Sequence, residues 1–184
     1  MTYADYPLTV YAFHGCSREV AEAVLAGEMD LKPSRNAYDW IGSGVYFWEN
    51  APERALRWAA AMHEKSPAVI GAVVSLGHCL NLMDKSSNAP LSDAFRLVSG
   101  LFSDKGEKVP ANVRKLHYRD ALVVNAAHSM AEASGQPYDT VRAAFIEGNP
   151  VFDGSTIMAD THIQLCVRNP KKSIIAYFRP RGCR

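Results

Sequence analysis

His14-Gly15 closes the short apolar run Leu8–Phe13, and further on Gly42-Ser43-Gly44-Val45 leads into an aromatic cluster, Tyr46-Phe47-Trp48. A core needs aromatic rings, but it does not need a His-Gly step at the end of a strand. An imidazole can donate and accept hydrogen bonds near neutral pH. A glycine beside it lets a ligand approach the backbone closely. Glycines before an aromatic allow a tight turn and the close approach of a planar ligand. Each feature also has a plain structural reading, a satisfied histidine at a strand end and three aromatics in a core. Cys16, next in line, offers a thiol that becomes a nucleophile only as its thiolate.

The elements that must position these residues follow from pattern. Leu8–Phe13 is rich in β-branched and aromatic residues and predicts a strand. Ser17 is placed to cap a helix that Gly27 stops, with Ala21, Val24 and Leu25 on one face. Residues 32–44 read as a loop, Val45–Trp48 as a strand, and Asn50 as the cap of a second helix with Pro52 in its first turn. Ala68–Leu76 is the strongest strand pattern in the chain. Helices are expected over Ser92–Phe102 and Tyr118–Ala133, with Ser86–Pro90 as a loop before the first of them. Tyr138–Ile146 fits a strand or a short helix, and Gly148–Asp160 a loop. Ile163–Val167 and Ser173–Phe178 predict two strands, with Arg168–Lys172 between them as a hairpin connection. Strands at both ends with helices between predict an α+β fold.

Composition sets the outer bounds. A chain of 184 residues, 48% of them apolar, suits a single domain over 1–184 with a substantial core. A formal net charge of +1 argues against a broad field for nucleic acid or membranes. Lys171, Lys172, Arg179, Arg181 and Arg184 leave only the C-terminal end basic. The cysteines, Cys16, Cys79, Cys166 and Cys183, form no CxxC pair and no zinc spacing, so no metal is expected. No signal-peptide pattern and no run long enough to span a membrane is present, which predicts a cytoplasmic protein without a membrane partner.

Taken in order, the two motifs resemble the NAD-binding half of ADP-ribosyltransferases of the poly(ADP-ribose) polymerase and diphtheria-toxin type. His14-Gly15-Cys16 stands where that family has His-Gly-Ser/Thr. Gly42-Ser43-Gly44-Val45-Tyr46-Phe47 stands where it has Gly-x-Gly-Ile-Tyr-Phe. The similarity covers Val10–Ala59 and, more weakly, the last strands. The resemblance implies a split, antiparallel, two-sheet fold with surrounding helices and NAD in a cleft between the sheets. It implies that His14 binds the adenosine-side ribose, that the Gly15 backbone holds the nicotinamide amide and that Tyr46 stacks on its ring. Cys16 and Gly44 belong to the same two motifs. Arg35, in the loop between them, would meet the diphosphate. The family's serine and second aromatic lie on the next helix; Arg54 occupies the serine position and Trp58 is near the aromatic.

Counting back from Tyr177, the family's catalytic glutamate falls on Gln164, so the triad reads His14, Tyr46, Gln164. A glutamine can accept a hydrogen bond from the ribose 2'-hydroxyl, but it carries no charge and is no base. Glu147 and Asp160 are candidates for an auxiliary carboxylate, and His162, two residues before Gln164, shares its side of a strand. The activity implied is mono-ADP-ribosyl transfer from NAD to a protein or nucleic-acid acceptor, as in bacterial toxins or defence enzymes, for which an antitoxin or immunity protein would be the partner. The alternatives are a module that binds NAD or ADP-ribose without turnover, an NAD hydrolase, and an NAD-dependent RNA phosphotransferase. The last would need cations such as Arg35 and Arg142 on a phosphate.

Overall fold

The computed structural model describes residues 6–63, 65–114 and 116–182. Cys183 and Arg184 lie outside the described residues. Seven strands, β1 (Tyr6–Ser17), β2 (Val45–Glu49), β3 (Pro67–Gly77), β4 (Cys79–Asn81), β5 (Thr140–Phe145), β6 (His162–Val167) and β7 (Ile174–Phe178), form one sheet. Their order is β4-β5-β6-β2-β1-β3-β7. Only β4 and β5 run parallel; every other pair is antiparallel. The helices are α1 (Arg18–Leu25), α2 (Pro52–Met62), α3 (Asn88–Asp104), α4 (Tyr118–Ala133) and the short α5 (Pro170–Ser173). The class is α+β.

The expected pair of sheets is instead one continuous mixed sheet. Two registered pairs, Ala12 with Glu49 and Phe13 with Trp48, join its halves. The pairing of β1 with β3, by contrast, runs from Thr9–Ser75 without a break to Ser17–Pro67. Residues on one face, among them Val10, Ala12, Cys16, Val45 and Phe47, pack with Ala21 and Val24 of α1. On the other face Val141 and Cys166 pack with Ala94 of α3 and Val124 and Ala127 of α4. Trp48 and Val69 bury Ala55 of α2 on that same side.

Several boundaries differ from the sequence reading. β1 does not stop at Phe13 but continues through His14 to Ser17, because β3 is long enough to pair with it. Ser17 then caps α1, accepting from the Val20 N–H at 3.3 Å. Asn50 does not cap α2: it takes a left-handed φ of 50°, and Ala51 stands at the N-cap. α3 starts at Asn88, inside the stretch expected to be a loop. Tyr138–Ile146 resolves into β5. β6 and β7 are not a hairpin: β6 lies between β5 and β2, while β7 pairs with β3 at the opposite edge. The reason is a fit at Gly71, where the missing Cβ makes room for the Phe178 ring, which also meets Tyr11 and Phe13 edge-on.

Candidate functional site

The seam between β1 and β2 opens at His14. The Asn50 N–H donates to the Tyr11 carbonyl at 3.0 Å. Antiparallel bonds alternate, so Tyr11, Phe13 and Gly15 direct their backbone groups toward β2, and Ala12, His14 and Cys16 toward β3. The next rung in this register would join Gly15 to Tyr46, and the registered pairs stop before it. The Tyr46 carbonyl instead lies 2.7 Å from His14 Nδ1. A carbonyl only accepts, so Nδ1 carries the proton. Burial lowers the His14 pKa, outweighing the raising effect of that bond, so the ring is neutral at pH 7. Nε2 therefore keeps a lone pair. The side chain of His14 thus meets β2 just past the last registered pair, beside the buried Gly15.

Gly15 has a packing role as well. A Cβ there would stand 2.3 Å from the Ala55 carbonyl oxygen, so glycine is what lets α2 lie on the seam. A Cβ on Gly44 would sit 2.5 Å from Cys166 Sγ and 2.7 Å from the Val167 carbonyl oxygen, so glycine there lets β2 lie close against β6. The Tyr46 ring packs with the α4-side cluster, and its hydroxyl donates to the Gly42 carbonyl at 2.7 Å. Burial raises the Tyr46 pKa and keeps the phenol neutral. Cys16 is buried in the α1-side cluster, where burial pushes its thiol up to about 11, so no thiolate nucleophile arises there at pH 7.

β6 brings the third position alongside. Gln164 is registered with Trp48, and Cys166 with Tyr46. Directly opposed residues share a face, so Gln164 and His162 lie on the α2 side of the sheet with Trp48 and Tyr46. His14 belongs by alternation to the other face, its ring 5.6 Å from that of Phe47. The structure therefore places His14 and Gln164 on opposite faces of the sheet. Gln164 Nε2 is 3.0 Å from His162 Nε2, and His162 Nδ1 is 2.6 Å from the Asp160 carbonyl.

A cleft of about 380 Å³ beside His162 is lined in part by Asn50, Arg54, Arg57 and Asp160; His14, Gly15, Tyr46 and Gln164 are not in its lining. Asp160 lines it and Glu147 does not, and each is engaged by an arginine of α2. Arg54 meets Glu147 at 2.7 Å and Arg57 meets Asp160 at 2.5 Å. Arg57 is also the main reason the Asp160 carboxyl is held below its ordinary pKa. Trp58 is on the outer part of α2, its ring 5.9 Å from that of Trp48. The Trp48 indole N–H and the Arg54 Nε–H are buried and have no hydrogen-bond partner among the described residues. Sequence reasoning passed over Trp48 and Arg57. Their signal was spacing: Trp48 alternates with Tyr46 along β2, and Arg57 is one turn beyond Arg54.

Other candidates lie apart. Arg35 is exposed in a loop ordered by bonds from Ser34 and Asn36 to the Asp39 carboxylate. Arg142 makes a two-pronged ion pair with Glu49, at 2.6 and 2.7 Å, and is not directed at the cleft. A larger cavity of about 480 Å³, beside Arg18, Glu22 and Arg179, contains none of the candidate residues. No helix among the described residues is long and apolar enough to cross a membrane. No family model matches the chain, and no curated protein matches it.

Proposed function

We propose that the chain transfers a single ADP-ribose from NAD to a macromolecular acceptor and releases nicotinamide. The observation that carries this reading is the interrupted rung at Gly15. On this reading the Gly15 N–H and C=O take the carbonyl and amino group of a carboxamide. His14 Nε2, on the neighbouring residue, takes a ribose hydroxyl. The orphaned N–H groups of Trp48 and Arg54 suit a ligand rich in acceptor oxygens, such as a dinucleotide. A buried donor without a partner costs about 1–3 kcal/mol, which such a ligand would offset.

In the transfer, the bond between the ribose C1' and the nicotinamide nitrogen breaks, and its electron pair stays on nitrogen, neutralising the pyridinium. An acceptor nucleophile then bonds to C1' and gives up its proton. The ribose passes through a cationic state that an acceptor dipole stabilises and a donor does not. Gln164 Oε1 can hold the 2'-hydroxyl and supply that dipole. It cannot take the acceptor's proton. A single transfer to an acceptor that needs little activation is therefore favoured over chain elongation. Glu147 and Asp160 are the nearest carboxylates named for proton removal, and each would first have to leave its arginine.

Free nicotinamide released from NAD by the purified protein, alone and with cell extract, tests the reading. Release should fall by about tenfold to a thousandfold in His14→Ala and Gln164→Ala. The second reading, NAD binding without turnover, draws on the uncharged Gln164 and on the two carboxylates held in ion pairs. It predicts NAD binding that His14→Ala weakens, with no nicotinamide formed. Neither binding nor release would overturn both readings.

A further inference from the structure

Resting on the transferase reading, we propose that His162 is a positioning residue that fixes which end of the Gln164 amide faces the reacting ribose. The two ends of a glutamine amide are opposite in kind, two donors on nitrogen and an acceptor on oxygen, and rotation about the last bond exchanges them. A carbonyl end turned to the ribose accepts from its hydroxyl and stabilises positive charge. An amino end does neither.

His162 decides the choice. Its Nδ1 is 2.6 Å from the Asp160 carbonyl, so Nδ1 is protonated. A neutral imidazole has one N–H, which leaves a lone pair on Nε2. The group 3.0 Å away must then be a donor, and it is the Gln164 amino nitrogen. Oε1 is turned away from His162 as a result. The ring itself is held: His162 is buried and lies nearly parallel to Phe145, centroids 5.3 Å apart at 14°. Phe145 in turn meets Trp40 edge-on at 4.1 Å, and Trp40 stacks on His117 at 4.5 Å. Three rings from separate segments thus hold one tautomer-bearing side chain against Gln164.

The test has a readout that does not need turnover. Imidazole ¹⁵N spectra of the wild-type protein at pH 7.5 should show His162 protonated on Nδ1, with Nε2 hydrogen-bonded to a Gln164 side-chain amide proton. An Nε2–H tautomer overturns the proposal. His162→Phe keeps a flat ring on Phe145 but has no acceptor. In this variant nicotinamide release should fall about tenfold to a hundredfold in kcat, with KM for NAD changed less than about threefold. In the Gln164→Ala background the same substitution should have no further effect. An equal loss in both backgrounds, or unchanged kcat in the single variant, also overturns the proposal. Spectra as expected from a protein that neither binds nor cleaves NAD would leave the amide orientation standing and overturn the transferase reading instead.

Discussion

His14 combines two properties that set its pH behaviour: burial lowers its pKa, and the Tyr46 carbonyl fixes its proton on Nδ1. Above about pH 6.5 both folded and unfolded chains carry it neutral, and it adds no pH dependence. As pH falls below that value the unfolded chain takes up a proton that the folded chain refuses. Stability is therefore full above the unfolded pKa and drains away toward the lowered folded one. His128 has the same sign, from burial and the nearby Arg168. Glu22, Asp84 and Asp160, all depressed, lose their contributions only near about pH 4, below this window. The urea midpoint should accordingly drop between pH 7 and pH 5.5. His14→Gln should reduce the size of that drop, whatever its baseline stability, with His128 accounting for part of the remainder. An identical drop in both proteins would mean that His14 is not buried and neutral.

At the scale of elements, the sequence showed the strands and helices but not how they are shared. The runs that became β2, β3, β6 and β7 were legible because each is rich in apolar and β-branched residues. The end of β1 was misread because His14-Gly15 looks like an interruption. Only the partner β3 shows that pairing continues on one edge while it stops on the other. The hairpin expected between β6 and β7 failed for a similar reason, since adjacency in sequence says nothing about the fit of Phe178 over Gly71. The staple that holds this rearranged topology is Asp139. Its side chain accepts from the His78 N–H at 3.0 Å and from Lys172 Nζ at 2.7 Å, and its carbonyl accepts from the Arg168 and Asn169 N–H groups. It ties the β3–β4 turn to the start of β5 and to the β6–α5 connection. Asp139→Ala removes a buried acceptor, leaves the His78 N–H unmet and should cost about 1–3 kcal/mol. Lys172 is 61% exposed on its side chain, so Lys172→Ala should cost under about 1 kcal/mol. Thermal unfolding of the two variants side by side checks the order; a larger loss in Lys172→Ala would contradict it.

For the whole molecule, the consequence lies in the seam. The two halves of the sheet, β4-β5-β6-β2 and β1-β3-β7, meet through two registered pairs before the strands part. His14 and Gly15 belong to one half and Tyr46 and Gln164 to the other, so a ligand held by both sets would act as a further connection between them. Binding only to the folded chain stabilises it by about 2.7 kcal/mol at a hundredfold excess over Kd. For a protein of this size that corresponds to a rise in Tm of roughly 5–11 °C. NAD should produce this shift in the wild type. Nicotinamide alone, which would engage Gly15 but carries no ribose for His14 or Gln164, should produce a smaller one at equal concentration, because fewer contacts raise its Kd. His14→Ala should shrink the shift with NAD at fixed concentration and leave the shift with nicotinamide nearly unchanged, because only the former uses Nε2. Differential scanning fluorimetry with both ligands on both proteins separates the cases. Equal loss of both shifts would place His14 in the scaffold of the seam rather than in contact with the ribose.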